Sequence, residues 1–209
     1  GGDISRAYAL TLNTGARVFM KANARQNVAF FTAEAAGIAA IASTGAIGTP
    51  HILCTGTDEG EVAGYSFLLQ DYVEFVPPRA GYWEQFARNL AAMHEADTGI
   101  FVAPVVGAPG NDGNAAQHRS PDTARFGFFQ DTFIGATPQT NTPAAQWIPF
   151  FREQRLEPQF RAADEYFTAA DRARNTRLLD HLESFLVEPE RPSLLHGDLW
   201  SGNVLCAPA

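Results

Sequence analysis

The residues best suited to chemistry lie at the end of the chain, in Leu194-Leu195-His196-Gly197-Asp198-Leu199-Trp200-Ser201-Gly202-Asn203-Val204-Leu205. The Asp198 carboxylate can accept a proton from an alcohol. The Asn203 carboxamide, five residues on, can hold a divalent cation carried on phosphate oxygens. Together they have the spacing used for phosphoryl transfer to a hydroxyl. The apolar pairs on each side predict short buried strands that fix the loop. His196 has a near-neutral ordinary pKa and could be a base, but the fixed Asp198–Asn203 spacing favours Asp198 as base and His196 as scaffold.

A second set of residues would hold a nucleotide. Lys21 follows Val18-Phe19-Met20 on a predicted strand, the place of the lysine that contacts the α- and β-phosphates in kinases. Glu34 is the only acid between positions 16 and 40 and sits on the next predicted helix, placed to pair with Lys21. Gly1-Gly2-Asp3-Ile4-Ser5 precedes the first strand; glycines let backbone N–H groups approach phosphate, and Ser5 adds a hydroxyl. A Gly-Gly at a chain end is equally a simple turn or a cloning remnant. Gln70-Asp71-Tyr72 ends the last strand of this region, where a connector offers backbone groups to an adenine; Tyr72 is equally a core residue.

The elements that must position these groups follow from periodicity. Strands are predicted at Tyr8–Asn13, Arg17–Ala22, His51–Thr55 and Tyr65–Gln70, with an Ala-rich helix over Val28–Ser43 stopped at Gly45. After Pro77-Pro78 the pattern turns helical. Trp83–His94 is amphipathic, with Phe86, Leu90 and Met93 on one face and His94 at a helix end, where a cation is favourable. Residues 103–125 read as an exposed loop. Thr142-Pro143 predicts the start of a helix through Trp147, Phe150 and Leu156 that Pro158 kinks or interrupts. A last helix is predicted from Thr168 to Val187 with Leu178, Leu179, Leu182 and Leu186 inward.

The expected fold is therefore α+β and two-lobed, of protein-kinase type. Residues 1–72 would form a small antiparallel β lobe with one helix that binds nucleotide, and residues 73–209 a mainly helical catalytic lobe.

Composition agrees with a folded enzyme. The 209 residues are 45% hydrophobic and 18% charged, enough for a core. A formal net charge of −8 argues against nucleic acid or anionic membrane as partner. No apolar run reaches the roughly 18 residues of a membrane span. The two cysteines, Cys54 and Cys206, suggest neither a disulfide framework nor a zinc site, so a cytoplasmic location is expected. The histidines His51, His94, His118, His181 and His196 are scattered, with no triad or metal cluster.

At this point the chain resembles the fructosamine kinases, or ketosamine kinases, of the aminoglycoside phosphotransferase-like group. Four segments carry the resemblance: Gly1–Ser5; the Lys21 strand with Glu34; Phe133–Asn141 with Trp147 and Phe150–Leu156; and His196–Asn203. The resemblance implies ATP-dependent phosphorylation of a sugar hydroxyl on a small-molecule or protein-bound ketosamine. Asp198 would be the base, Asn203 a Mg2+ ligand, and Gly1, Gly2, Ser5, Lys21, Glu34, Gln70, Asp71 and Tyr72 the ATP site. Gln139, Asn141, Trp147 and Trp200 would face the substrate, since amides bond sugar hydroxyls and an indole stacks on a sugar or covers a cation. Asn141 could equally end a turn, and Trp147 could equally be core.

The family also carries a second metal-binding Asp after the catalytic loop, and no Asp follows Asp198 in this sequence. A natural protein extending beyond residue 209 is therefore expected, with magnesium-ATP held poorly without that part. An aminoglycoside or other small-alcohol kinase is the alternative enzyme, and a non-catalytic kinase-like binding module the alternative of another class.

Overall fold

The computed structural model describes residues 5–58, 60, 64–102 and 126–208. Gly1, Gly2 and the loop predicted at 103–125 lie outside them. Two compact units emerge. The first comprises Gly1–Asp97, Phe133–Thr137 and Ser193–Ala209; the second comprises Thr98–Thr132 and Pro138–Pro192.

In the first unit, β1 (Arg6–Thr11) and β2 (Arg17–Ala24) form the predicted hairpin. With β3 (Ile52–Thr57) and β4 (Tyr65–Asp71) they make an antiparallel sheet of order β1-β2-β4-β3. Lys21 stands opposite Leu68 in the β2–β4 ladder, and Asn23 opposite Ser66. Cross-strand partners share a face, so Lys21 lies on the same face as Leu68 and Ser66, both fully buried.

That face is covered by α1 (Val28–Ser43), which spans the predicted residues. Its alanines favour helix and let it lie close to the sheet, with Phe31, Ala33 and Ala40 buried. Gly45, at φ +66°, follows its end as expected. Then α2 (Tyr82–Glu95) starts at Gly81 and buries Met93 completely.

The second unit departs from the sequence pattern more often. The expected helix start at Thr142-Pro143 is not used; α3 begins at Trp147 and runs to Phe151. The reason is a β-bridge. Ala144 exchanges both backbone hydrogen bonds with Phe126, at 2.8 and 2.9 Å, which commits its backbone to an extended form. The N-terminal amides of α3 are met from far along the chain: Trp147 N–H donates to one oxygen of Glu188, and Ile148 N–H to the other at 3.0 Å. A distant carboxylate thus does the work of a local cap.

Pro158 interrupts the regular α-helix, one of the two outcomes read from the sequence. The helix widens to a π-turn over Arg152–Leu156, and α4 (Glu157–Ala162) restarts with Pro158 in its first turn, where a missing N–H costs nothing.

The last helix, α5 (Ala169–Asp180), opens on a capping box between Thr168 and Asp171. It stops well before Val187, and a short 3-10 turn follows at Leu182–Ser184. Leu182 is buried as expected, but Leu178 is 36% exposed.

The strands expected around Asp198 are absent. Among the described residues neither Leu194-Leu195 nor Val204-Leu205 pairs in a ladder, and Leu195 and Leu205 are exposed. The segment is held by single bonds instead: Val76 N–H to Cys206 O at 2.8 Å, and the Tyr82 hydroxyl to Leu205 O at 3.1 Å.

Candidate functional site

The two groups of the first unit are both assembled in the expected pairs. The Lys21 ammonium lies 2.5 Å from Glu34 Oε1, with the two side chains 33% and 31% exposed. Burial on the β2–α1 face removes part of the water that would compete for the lysine. The pair fixes the ammonium on the sheet while leaving its other N–H groups available to a phosphate.

Asp198 and Asn203 are joined directly. The Asn203 Nδ2 donates to Asp198 O at 2.8 Å and to Asp198 Oδ2 at 2.9 Å. These bonds engage the Asn203 amide nitrogen and Asp198 Oδ2, so Asn203 Oδ1 remains an acceptor able to ligate a cation and Asp198 Oδ1 one able to take a proton.

The loop geometry has local causes. Gly197 adopts φ +82°, a left-handed turn that favours glycine. Asp198 N–H donates to His196 Nδ1 at 3.3 Å, which makes His196 a loop scaffold as read from the sequence. Ser201–Asn203 form a 3-10 turn, closed by Asn203 N–H to Trp200 O at 2.9 Å. Trp200 is 48% exposed and its indole lies over Gly202, where a Cβ would stand only 2.4 Å from the ring.

The other predicted nucleotide groups are placed as follows. Ser5 immediately precedes β1, and its Oγ accepts from Asn23 Nδ2 at 3.3 Å. Gln70 ends inside the sheet, with a buried Oε1 that has no hydrogen-bond partner among the described residues. Asp71 is tied by its backbone N–H to His51 O at 3.0 Å. Tyr72 is half-buried beneath Arg17, whose guanidinium carbon is 3.6 Å from the ring centroid and which also pairs with Glu74 at 2.5 Å. The connector is thus held from β2.

The candidate substrate residues fall into two kinds. Trp147 packs in an aromatic group with Phe126, Phe150 and Phe151, at centroid distances of 5.9, 5.9 and 5.1 Å. Asn141 is only 5% exposed, and all its polar groups are engaged within the chain. Its Nδ2 donates to Gln130 O and Thr132 Oγ1, both at 3.0 Å, its backbone N–H donates to Asp131 Oδ1 at 2.8 Å, and its Oδ1 accepts from Arg155. Asn141 thus braces neighbouring segments, and no turn ends at it. Gly127, at φ +133°, lets the segment after Phe126 pass close to Asn141: a Cβ there would sit 2.8 Å from Asn141 O. Gln139, on β6 (Thr137–Gln139), which pairs with β5 (Thr132–Ile134), is half-buried and accepts through Oε1 from Thr132 Oγ1 at 3.3 Å.

Arg155 and Thr132 were not singled out by any spacing. Arg155 donates through Nη1 to Thr140 O at 2.7 Å and Gln154 O at 2.8 Å, and its guanidinium lies 4.5 Å from the Phe150 ring centroid. Burial lowers its pKa from the ordinary arginine value, and Asp131 acts in the opposite sense.

Magnesium is usually held by one or two carboxylates together with phosphates. Among the described residues no group of three His, Cys, Asp or Glu side chains converges. Asn203 Oδ1 fits as one ligand, beside the Asp198 carboxylate.

Comparison with known proteins places the chain in a family. The family model described as Fructosamine kinase matches residues 1–101 and 112–208. The "Probable ketoamine kinase slr1563" of Synechocystis is 33% identical over 97% of this chain and 59% of its own length. The chloroplastic protein-ribulosamine 3-kinase of Arabidopsis thaliana is 31% identical over 98% of this chain and 55% of its own. The crystal structure of a "Putative fructosamine-3-kinase" from Haemophilus somnus 129PT superposes with a TM-score of 0.70 at 25% identity, covering 99% of this chain and 60% of that one. The chain therefore spans a little over half the length of these relatives. Its α+β architecture is the protein-kinase-like one. On the extent of the family match and the order of its motifs, this chain belongs to the fructosamine kinase family.

Proposed function

We propose that the protein to which this chain belongs transfers the γ-phosphoryl group of ATP to a sugar hydroxyl of a ketosamine. The observation that carries the reading is the Asp198–Asn203 hydrogen bond, which leaves one carboxylate oxygen for a proton and one amide oxygen for a cation. The Lys21–Glu34 pair on the same compact unit supports it.

In this reading residues 1–72 form the nucleotide lobe and residues 73–209 part of the catalytic lobe. Lys21 holds phosphate oxygens, and the backbone of the connector at Gln70–Tyr72 meets the adenine. Asp198 Oδ1 accepts the hydroxyl proton as the sugar oxygen bonds to the γ-phosphorus and the bond to the β-phosphate oxygen breaks, giving the phosphate ester and ADP. Magnesium, with Asn203 Oδ1 as one ligand, would neutralise charge on the phosphates. Trp200, half-exposed on the turn between Asp198 and Asn203, offers an indole face to the sugar or its amine.

The relatives carry ketoamine and ribulosamine kinase names, which favours a ketosamine over an aminoglycoside. The test is a panel of ribulosamine, fructosamine and aminoglycoside substrates with the full-length protein, read by ADP release. Ketosamine turnover that vanishes in Asp198→Asn is expected. Turnover retained in that variant would remove Asp198 from the role of base.

A further inference from the structure

Two glycines stand in the loop, one on each side of Asp198, and they are glycines for opposite reasons. Gly197 is one for its backbone: it lies at φ +82°, where side chains are strained, while a Cβ there would meet nothing within 4 Å. Gly202 is one for room. It sits inside the 3-10 turn Ser201–Asn203 with no positive φ, a conformation open to any residue. Yet a Cβ on it would stand 2.4 Å from two atoms of the Trp200 six-membered ring and 2.9 Å from a third, where ordinary contact begins at 3.4 Å. The bare backbone of Gly202 is thus a seat for the indole. The same turn joins Asn203 N–H to Trp200 O at 2.9 Å, so the ring and Asn203 ride on one short piece of chain. One face of the indole is spent on Gly202. Its other face remains open on a residue that is 48% exposed, and its Nε1–H meets no acceptor among the described residues.

We propose that Gly202 is a positioning residue for substrate recognition: it seats the Trp200 indole so that the open ring face and the Nε1–H are held toward the sugar of a ketosamine beside Asp198. Both open features suit that ligand. A ring face takes the C–H face of a sugar or the charge of its amine. An indole N–H only donates, so it selects a hydroxyl or carbonyl oxygen. An unseated, exposed indole samples several rotamers, and ordering it on binding cancels part of what the contact gains. The seat does that ordering beforehand. All the parts lie in one compact unit and in one loop: Asp198 and Asn203 bond to each other, and Trp200 stands between them in the chain. A methyl at position 202 would displace the ring, while the turn itself accepts alanine as readily as glycine.

The inference rests on the reading that Trp200 faces the ketosamine, and its test separates the two. In the full-length protein, Gly202→Ala should raise KM for the ketosamine about fivefold, the worth of one aromatic contact, with kcat and KM for ATP unchanged. The effect should depend on the ring. Trp200→Ala should raise KM at least as much, and Gly202→Ala added to it should change nothing further. Without any ligand, Trp200 emission, taken as the difference between each protein and its Trp200→Phe counterpart, should shift to the red in Gly202→Ala and be quenched more readily by acrylamide. Unchanged Trp200 emission in that variant, or a KM raised as much without Trp200 as with it, overturns the proposal. So does a fall in kcat or a raised Mg2+ requirement, which would mean that Gly202 shapes the Asn203 turn instead. A displaced indole together with a wild-type KM in Trp200→Ala overturns instead the reading that Trp200 faces the substrate.

Discussion

The loop at Asp198–Asn203 and the block from Gln130 to Arg155 are both dense in polar side chains, yet they are wired in opposite ways. In the loop the bonds are local, spanning at most five residues, and the side chains are exposed. Each bond uses one atom of a group and leaves its chemically useful atom open. In the block most bonds span seven to fifteen residues, and Asn141 is buried with its donors and acceptors matched within the chain. The loop holds reactive atoms available; the block holds one amide still. A polar cluster that satisfies itself supports a site, and one left partly unsatisfied and exposed can be the site.

This contrast has measurable consequences. The largest effect is expected for Asp198→Asn in the full-length protein. Ketosamine phosphorylation should fall on the order of 10³-fold, the worth of a general base, with Tm unchanged because the residue is exposed and braces nothing buried. A comparable loss of Tm would mean that the loop is structural after all. Next, Lys21→Met should lower kcat/KM on the order of 10²-fold. Its cost in stability should be under about 1 kcal/mol, since the Lys21–Glu34 pair is about one-third exposed.

The block should behave in reverse. Arg155→Leu leaves Thr140 O and Asn141 Oδ1 without their donor, and should destabilise by about 2–3 kcal/mol. For a chain of this size that is a drop in Tm of roughly 5–10 °C, read by thermal unfolding, and only secondarily a rise in KM. A fall in kcat without a fall in Tm would erase the distinction.

The smallest effect concerns pH. Hydrogen bonds from Thr168, then the charge of Arg174, hold the Asp171 carboxyl below the ordinary carboxylate range. A folded-state pKa below the unfolded value means stability that is present above about pH 4 and lost as pH falls through the folded pKa. The difference in Tm between wild type and Asp171→Asn should therefore be constant near neutrality and vanish in acid. A difference that grows on acidification would refute the capping role.

Where physical causes are local, the sequence was legible. The β1–β2 hairpin, the full extent of α1, the stop at Gly45 and the pairing of Lys21 with Glu34 follow from alternation, alanine content and the lack of any competing acid between positions 16 and 40. Asp198 and Asn203 are five residues apart, so a tight turn alone can join them. Legibility failed where a distant partner decided. The start of α3 moved because Phe126 bridges Ala144 and Glu188 caps Trp147 from 41 residues away. The strands expected beside the loop did not form, since apolar pairs make a strand only where a neighbouring strand meets them. Leu178 was read inward by helical period but is 36% exposed.

The sequence by itself determined the family, the order of most elements, and the pairings of Lys21 with Glu34 and of Asp198 with Asn203, because those depend on residue type and short spacing. Only the tertiary structure decided which atoms of those residues stay open. It also showed that Asn141 braces the chain, tied to Gln130, Asp131, Thr132 and Arg155. Hydrogen-bond polarity is set by which donors and acceptors meet, and those meetings are made by folding, between residues that no local pattern connects.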